Sequence, residues 1–353
     1  MPHRDRVPAS SVVKSTLSHA SNALGVQDPV PLVGALIDRS FSRPLGQYDY
    51  GQNLLTPGAL AVEPSFSEQE SGSLRFTMEP LAGASPSTRV QEVTREMRRL
   101  VDGAFGREAL KWFDRWSEEW RGAMANPRAH YGAWFGMAVD DGGLAASKVY
   151  YELNPEHLDA LPLRLRSYVV AALESVPGLV PLFTSIRCGR ESGVQRVTLL
   201  HRGTLRLTDL TPFLDRLGLA HQLPGLMQIV GLALGGRFEL PDQAVMLGLQ
   251  ETEQGPELKF EVALGMVPDL PSTFLDLVTL ALAERPRELR ALETWLQAFT
   301  PESAEWPGHF SVMSIRLTAS RPAQVSLYLR PIDFELQPVN GGAPAAHAVG
   351  IRA

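Results

Sequence analysis

Cationic and aromatic side chains recur at matching positions along the sequence, an arrangement that could bind a multiply charged anion. The cations concerned are Arg75, Lys148, Arg196 and Lys259. Cations that converge on an enclosed space bind polyanions through charge-assisted hydrogen bonds, and a diphosphate is the natural candidate. Tyr150 lies two residues beyond Lys148, and Tyr328 holds the equivalent position in a later segment. The faces of such rings stabilise a carbocation by about 2 kcal/mol or more each when water is excluded.

Each of these cations lies on the second strand of a predicted β-hairpin. Such hairpins combine two β-branched or aromatic stretches with a polar turn between them. They cover residues 59–80, 134–153, 182–201, 244–264 and 310–331. Alternate residues of the second strands form the triplets Arg75-Thr77-Glu79, Lys148-Tyr150-Glu152, Arg196-Thr198-Leu200, Lys259-Glu261-Ala263 and Ser326-Tyr328-Arg330. Because successive strand residues point to opposite faces, each triplet shares one face and the apolar residues between share the other.

Between the hairpins, apolar residues recur with the period of amphipathic helices. Helices are predicted over residues 86–103, 107–122, 155–176, 208–234 and 270–299. Ten antiparallel strands in an open sheet would leave two edge strands with unpaired backbone N–H and C=O groups, and closure into a barrel pairs both edges. The sequence therefore predicts an α+β protein in which ten antiparallel strands, in five hairpins, form a barrel surrounded by helices. The polar triplets face the interior of this barrel.

Length and composition favour one folded domain with short tails. The chain has 353 residues, of which 44% are hydrophobic and 20% charged, with a net charge of −6. We expect a flexible tail over residues 1–12, a single barrel domain over 13–338 and a disordered tail over 339–353. The charge balance argues against a nucleic-acid partner, and the apolar stretches are too short to span a membrane. A single cysteine, Cys188, allows no intramolecular disulfide, which fits a cytoplasmic location.

Several segments resemble the bacterial indole prenyltransferases of the dimethylallyltryptophan synthase type, within the wider ABBA prenyltransferase group. The similar segments are ArgPro at 43–44, AlaValGluProSer at 61–65, LeuArgPheThrMetGluPro at 74–80, LysValTyrTyrGluLeuAsnPro at 148–155, GlnArgValThrLeuLeuHis at 195–201 and ValSerLeuTyrLeuArgPro at 325–331. The resemblance spans residues 40–331 and implies the ABBA fold, also called the PT barrel.

This resemblance implies metal-independent transfer of a prenyl group from an allylic diphosphate to an indole or other electron-rich aromatic acceptor, as in alkaloid secondary metabolism. It implies that Arg75, Lys148 and Arg196, joined by Lys259, bind the diphosphate. Tyr150 and Tyr328 would shield the allyl cation. Glu63 would form a hydrogen bond with the N–H group of the aromatic acceptor and take up the proton that the reaction releases. The substrate pocket would contain Thr77, Trp134, Thr198, Leu200 and Glu261. No cofactor and no magnesium are expected, the only partners are these small molecules, and the protein would act as a monomer or homodimer.

Three positions depart from the family pattern. Thr198 stands where the family has lysine, Leu200 where it has a shielding tyrosine, and Glu261 where it has an aromatic or neutral residue. These changes motivate a second hypothesis, a non-catalytic barrel that binds a hydrophobic small molecule. A third hypothesis is a cyclase that acts on an already prenylated aromatic, with Glu63 or Glu261 as the proton donor. Arg187 could extend the cationic ring, as could the corresponding Arg316, but a surface position is favoured for both.

Overall fold

Ten β-strands form a closed antiparallel barrel in the computed structural model of the chain. The structure describes residues 7–45, 50–81, 83–122 and 129–336. The strands are β1 (Val62–Ser67), β2 (Leu74–Met78), β3 (Ala133–Asp140), β4 (Gly143–Glu152), β5 (Leu179–Gly189), β6 (Gly193–His201), β7 (Leu205–Arg206), β8 (Glu239–Leu240), β9 (Val245–Thr252), β10 (Gly255–Ala263), β11 (Gly308–Leu317) and β12 (Gln324–Pro331). Around the barrel the order is β1-β12-β11-β10-β9-β6-β5-β4-β3-β2, and β7 and β8 form a separate ribbon. The predicted hairpins and fold class are confirmed.

Helices surround the barrel. They are α1 (Ala9–Leu24), α2 (Val30–Ser40), α3 (Pro86–Gly122), α4 (Leu163–Ser175), α5 (Thr211–Arg216), α6 (Leu223–Ala233), α7 (Phe274–Ala281) and α8 (Pro286–Phe299). Helix α3 packs on β3, β4 and β5, and α1 packs between α2 and α8. The hydrophobic core lies between barrel and helices, where outward-facing residues such as Val149 and Phe260 are fully buried. Burial of each such side chain contributes about 1.5–3 kcal/mol.

Two predictions about the chain's segments need correction. Helix α1 begins at Ala9, so residues 9–12 belong to a helix and not to a tail. Its residues Val13 and Leu17 are fully buried, and this apolar stripe docks the segment on the core. The predicted helices 86–103 and 107–122 form one element that breaks at Gly106, whose φ of 83° lies in the left-handed region. Residues 1–6 and the predicted tail 339–353 lie outside the described residues, and the domain limits 13–338 stay a prediction.

The hairpin turns lie together at one end of the barrel, which we call the turn end. In the second hairpin the Asp140 carboxylate accepts a hydrogen bond from the backbone N–H of Gly142 at 2.9 Å, which stabilises the turn. Arg190, in the turn of the third hairpin, donates to both Asp140 oxygens at 2.6 Å. Neighbouring turns are thereby tied to one another, and this rim frames the entrance to the barrel interior.

Candidate functional site

A cavity of about 450 Å³ occupies the turn end of the barrel interior. Its cations are Arg75, Lys148, Arg187, Arg196, Arg316 and Arg321. The surface position favoured for Arg187 and Arg316 is wrong. Arg187 pairs directly with Lys148 across β5 and β4, and Arg316 pairs with Lys259 across β11 and β10. Directly paired residues share one face of a sheet, so the first strands of the hairpins add cations to the interior.

Two carboxylates hold arginines of this cavity in pairs. Glu70 lies 3.1 Å from Arg187 and 3.3 Å from Arg75. On β10, Glu257 lies 2.6 Å from Arg196 and 3.4 Å from the cavity-lining arginine of β11. The Arg75 charge holds the pKa of Glu70 below its usual value, so this carboxylate stays ionised. The pairs fix the guanidinium groups in place while leaving the cavity with more cations than these two anions neutralise.

Lys148 differs from these arginines, because no carboxylate among the described residues pairs with it. Its Nζ lies 4.2 Å from the centroid of the Tyr150 ring. Burial lowers the pKa of Lys148 well below its usual value, and the charges of Arg196 and Lys259 lower it further. A buried ammonium without an anion is costly, so this position is suited to an anion that the protein does not itself supply.

Unused hydrogen-bond donors belong to residues that line the same cavity. Nη1 of Arg75, Nε of Arg196 and the hydroxyl of Ser185 are buried, and none has a hydrogen-bond partner among the described residues. All three residues line the cavity. Buried polar atoms are nearly always hydrogen-bonded in folded proteins, so unpaired donors on three residues of one cavity favour a ligand with several acceptor oxygens.

Two interior glycines make room for the cationic side chains. A Cβ at Gly248 would lie 3.1 Å from Cδ of Arg196 and 3.3 Å from Cβ of Lys259. A Cβ at Gly136 would lie 3.2 Å from Cε2 of Tyr150. Glycine in the interior of a strand often marks such close approach. Neither glycine was identified from the sequence as part of the site.

A second, smaller cavity of about 80 Å³ continues toward the other end of the barrel. It is lined by Leu55, Glu63, Thr77, Trp134, Lys148, Tyr150, Phe183, Arg196, Thr198, Met246, Lys259, Glu261, Val312 and Tyr328. Thr77, Lys148, Tyr150, Arg196 and Tyr328 also line the larger cavity. The two cavities are therefore neighbouring compartments with a common wall of cations and tyrosines.

Aromatic rings form one side of the smaller cavity. Trp134 stacks on Tyr131 with ring centroids 4.4 Å apart and an interplanar angle of 24°. Phe183 contacts Trp134 at 6.2 Å and meets Tyr150 edge-on at 5.4 Å. Leu200, predicted in the substrate pocket, does not line either cavity and packs in the apolar cluster behind these rings. These packed rings give that side of the smaller cavity an aromatic, apolar surface.

Glu63, at the start of β1, places a carboxylate in this apolar setting. It is 6% exposed and accepts a hydrogen bond from the Ser311 hydroxyl at 2.5 Å. Burial raises its pKa from 4.5 to about 7. Near neutral pH this group therefore exchanges a proton readily, which suits it to general acid–base chemistry or to a hydrogen bond with a ring N–H.

Lys259 and Glu261 form a buried polar cluster with Tyr328. The Lys259 ammonium lies 2.6 Å from Oε1 of Glu261, donates to the Tyr328 hydroxyl and lies 4.8 Å from the centroid of that ring. Burial lowers the pKa of Lys259. Lys259, predicted beside Arg75, Lys148 and Arg196, lines the smaller cavity and not the larger one. Its pairing with Glu261 directs the ammonium toward the apolar compartment.

The structure thus brings most of the predicted residues together and adds several that sequence patterns missed. The residues that were missed are Glu70, Glu257, Gly136 and Gly248. Arg187 and Arg316 were recognised as candidates for the cationic ring but were expected at the surface. Within the described ranges, no group of three or more His, Cys, Asp or Glu residues is arranged to hold a metal ion. In the same part of the chain, no helix has the length and apolar character needed to cross a membrane.

Comparison with known proteins gives similarity at the level of structure alone. No family model matches the sequence, and a search of the curated proteins finds no match. Among solved structures, a 6-dimethylallyl tryptophan synthase shares 17% identity with a TM-score of 0.74, over 94% of this chain and 98% of that chain. The prenyltransferase PriB with product diphosphate shares 17% identity with a TM-score of 0.73, over 95% and 99% of the respective chains. This chain has the fold of the ABBA prenyltransferases.

A third structure of the same fold is a complex with two small molecules. The 6-dimethylallyltryptophan synthase of Micromonospora olivasterospora, in complex with DMASPP and Trp, shares 17% identity with a TM-score of 0.73, over 94% of this chain and 99% of that chain. At this identity the comparison establishes the ABBA fold, and the chemistry of this chain must be argued from its own cavities.

Proposed function

We propose that this protein is an aromatic prenyltransferase, which moves a prenyl group from an allylic diphosphate to an indole or other electron-rich aromatic ring. The observation that carries the proposal is the common wall of the two cavities, formed by Thr77, Lys148, Tyr150, Arg196 and Tyr328. An anion compartment on one side and an aromatic compartment on the other would hold the leaving group and the nucleophile across a short gap. Such placement of two reactants lowers the entropic part of the barrier.

In this proposal the larger cavity binds the diphosphate of the donor. Lys148, Arg75 and Arg196 supply charge and unused donors, and Arg187 and Arg316 add charge near the entrance. Each charge-assisted hydrogen bond to a phosphate oxygen contributes about 1.5–3 kcal/mol. The cations also stabilise the charge that develops on the leaving diphosphate, which is the electrostatic part of catalysis.

Tyrosines at the junction would protect the carbocation. Tyr150 and Tyr328 line both cavities, so the C1 carbon of the donor would pass beside their rings as the bond to diphosphate breaks. Their faces attract the allyl cation by about 2 kcal/mol or more each in a dry site. Thr77 is 3.4 Å from the Tyr150 hydroxyl and fixes that ring. Exclusion of water by these rings favours attack by the acceptor over hydrolysis.

The acceptor would occupy the smaller cavity. Trp134 and Phe183 offer apolar surfaces to an aromatic ring, while Thr198 and Glu261 line the remaining wall. Glu63 would accept a hydrogen bond from the acceptor's N–H, which pushes electron density into the ring and strengthens it as a nucleophile. Structures of this fold that contain tryptophan together with a dimethylallyl diphosphate analogue support an acceptor and donor side by side, although those are other proteins.

Metal independence belongs to the same proposal. The cations of the larger cavity can supply the positive charge that a magnesium ion would otherwise bring to a diphosphate. Oligomeric state, which we propose to be monomeric or homodimeric, and a cytoplasmic site of action are separate parts of this proposal. Neither changes the chemistry of the cavities.

A product screen by mass spectrometry tests the proposed function. Purified protein would be incubated, with and without a chelator, with dimethylallyl, geranyl or farnesyl diphosphate and with tryptophan, indole, tyrosine or small indole peptides. A mass gain of one prenyl unit that persists with the chelator is the expected result and identifies donor and acceptor together. No product from any pair, combined with no diphosphate binding by calorimetry, would contradict the proposal and favour a barrel that binds hydrophobic molecules without catalysis.

A further inference from the structure

Two carboxylates line the smaller cavity, and the proposed reaction has two distinct uses for a carboxylate. One is the hydrogen bond to the acceptor's N–H, which lies in the plane of the ring. The other is removal of the proton from the attacked ring carbon, which becomes tetrahedral and directs its hydrogen out of that plane. A single carboxylate held against the ring edge is poorly placed for the second use. The scheme in which Glu63 does both therefore asks one group to occupy two positions.

Glu261 offers the second position. It lies on β10, whereas Glu63 lies on β1, and β12 and β11 separate these two strands in the barrel. Three strand spacings of about 4.8 Å place the two side chains on separate parts of the wall, with the space of the cavity between them. Both are nearly buried, Glu63 at 6% and Glu261 at 7% exposure. Burial raises the pKa of Glu63, and the charge of Glu261 raises it further, so Glu261 lies close enough to act on Glu63 across this space.

The contacts of Glu261 leave one oxygen available. Oε1 is bound by the Lys259 ammonium at 2.6 Å, and in the described part of the chain no hydrogen bond engages Oε2. Lys259 is in turn held by the Tyr328 hydroxyl. The Lys259 ammonium thus keeps the Glu261 carboxylate oriented in the wall of the smaller cavity. Among the residues lining the smaller cavity, Glu63 and Glu261 are the two carboxylates.

We propose that Glu261, oriented by Lys259, is the base that removes the proton from the attacked ring carbon, while Glu63 binds the acceptor's N–H. This inference rests on the proposed function. The bond between donor C1 and the diphosphate oxygen breaks, and the ring carbon forms a bond to C1 with two electrons of its π system. The resulting arenium ion loses its proton to Oε2 of Glu261, and the C–H electron pair restores aromaticity. The proton then leaves to solvent with the product.

The test compares Glu261→Gln and Glu63→Gln, each with an acceptor carrying deuterium at the attacked carbon. When the base is removed, loss of the proton becomes the slow step, so Glu261→Gln is expected to show a primary isotope effect on product formation that the native enzyme lacks. Its kcat should fall by about 10²-fold or more. Affinity for inorganic diphosphate should stay within about twofold, because Glu261 does not line the larger cavity. Glu63→Gln should raise the acceptor KM without creating the isotope effect.

Rescue provides a control for misfolding of the variant. Glu261→Ala leaves a space in which formate can act as a substitute base, and added formate should restore turnover in Glu261→Ala but not in Glu63→Ala. Retention of kcat by Glu261→Gln, or loss of kcat without an isotope effect, would overturn the assignment and indicate the departing diphosphate as the base. If the native protein yields no prenylated product, the proposed function itself fails, an outcome distinct from a native enzyme whose Glu261 variants behave normally.

Discussion

The ammonium of Lys148 lies 4.2 Å from the centroid of the Tyr150 ring, and both side chains line both cavities. The cation proposed to bind the leaving group thus rests on the ring proposed to shield the carbocation. We expect a diphosphate to draw this ammonium toward its oxygens and free the ring face for the allyl group. Binding of the donor would in this way expose the face of the Tyr150 ring to the allyl cation as it forms.

Substitution of Lys148 tests its role in binding the donor. We expect Lys148→Met to weaken binding of dimethylallyl diphosphate by about 10- to 100-fold, because one charge-assisted hydrogen bond of about 1.5–3 kcal/mol is lost. Isothermal titration calorimetry measures this directly. Lys111→Met is the matched control, since its ammonium lies on the surface 2.7 Å from Glu108. Equal affinities of native protein and Lys148→Met would show that Lys148 does not contact the anion.

When no diphosphate is bound, Glu257 is expected to supply the negative charge that stabilises Arg196 and Arg316. Removing one partner of a buried ion pair costs about 3–5 kcal/mol, because the remaining charges lose their counter-ion. We therefore expect Glu257→Gln to lower the Tm. Inorganic diphosphate should then raise the Tm of the variant more than that of the native protein, because it restores negative charge beside Arg196.

Differential scanning calorimetry with and without inorganic diphosphate measures the Tm shift of the native protein and of Glu257→Gln. Glu239→Gln, which removes an exposed partner of Arg206 at 2.8 Å, is the control and should leave both the Tm and the ligand shift unchanged. An equal diphosphate shift in native protein and Glu257→Gln would mean that the anion does not bind next to this carboxylate.

Much of the fold could be predicted from the sequence because strand alternation is a local signal. Arg75 and Thr77 of the first triplet line the interior cavities, as their spacing requires. The ten strands of the barrel match the predicted hairpins, although β3, β5 and β11 begin one to three residues earlier than predicted. Helix α1 was missed because its polar exposed face and Ser-rich start are typical of a terminal segment. Its burial depends on contacts with α8, which lies far away in the sequence.

The site was harder to predict than the fold, because its polar contacts connect distant strands. Glu257 meets Arg196 from a strand two places away around the barrel, and Glu70 reaches Arg187 from a turn. Such pairs depend on the register and stagger of strands, which local alternation does not encode. Lys259 was placed with the diphosphate-binding cations because it opens its triplet as Arg75, Lys148 and Arg196 open theirs. Its ion pair with Glu261, two residues along the same strand, holds it in the smaller cavity instead.

The interior glycine of β9 should matter for anion binding. In Gly248→Ala the added Cβ would lie 3.1 Å from Cδ of Arg196, so this side chain must shift by a few tenths of an ångström. We expect diphosphate affinity to fall by about fivefold or more, from about 1 kcal/mol or more of strain. Gly72→Ala, where nothing lies within 4 Å of the added Cβ, is the control. Unchanged affinity in Gly248→Ala, with the circular dichroism of the native protein, would exclude Arg196 as a close contact of the anion.

Titration of Glu63 should make stability fall as pH rises. Its pKa is raised from 4.5 to about 7, so between these values the folded protein keeps a proton that the unfolded chain has released. The stabilising contribution is complete below pH 4.5 and is lost as pH rises through 7, by about 3 kcal/mol in total. Glu63→Gln cannot ionise. Its stability relative to the native protein should therefore increase between about pH 5 and pH 8 in urea unfolding experiments.

The same titration has the opposite effect on the proposed chemistry. Only the ionised carboxylate is a strong hydrogen-bond acceptor for a ring N–H, so kcat/KM for the acceptor should rise through about pH 7 in the native enzyme. In Glu63→Gln this rise should disappear. A stability difference that does not vary with pH would refute the buried titration, whereas a normal stability profile with an unchanged rate profile would show that Glu63 titrates but does not contact the acceptor. Ionisation of Glu63 therefore lowers the stability of the fold at high pH and, in the proposed reaction, activates the acceptor. A buried carboxylate at this position thus reduces stability in exchange for reactivity.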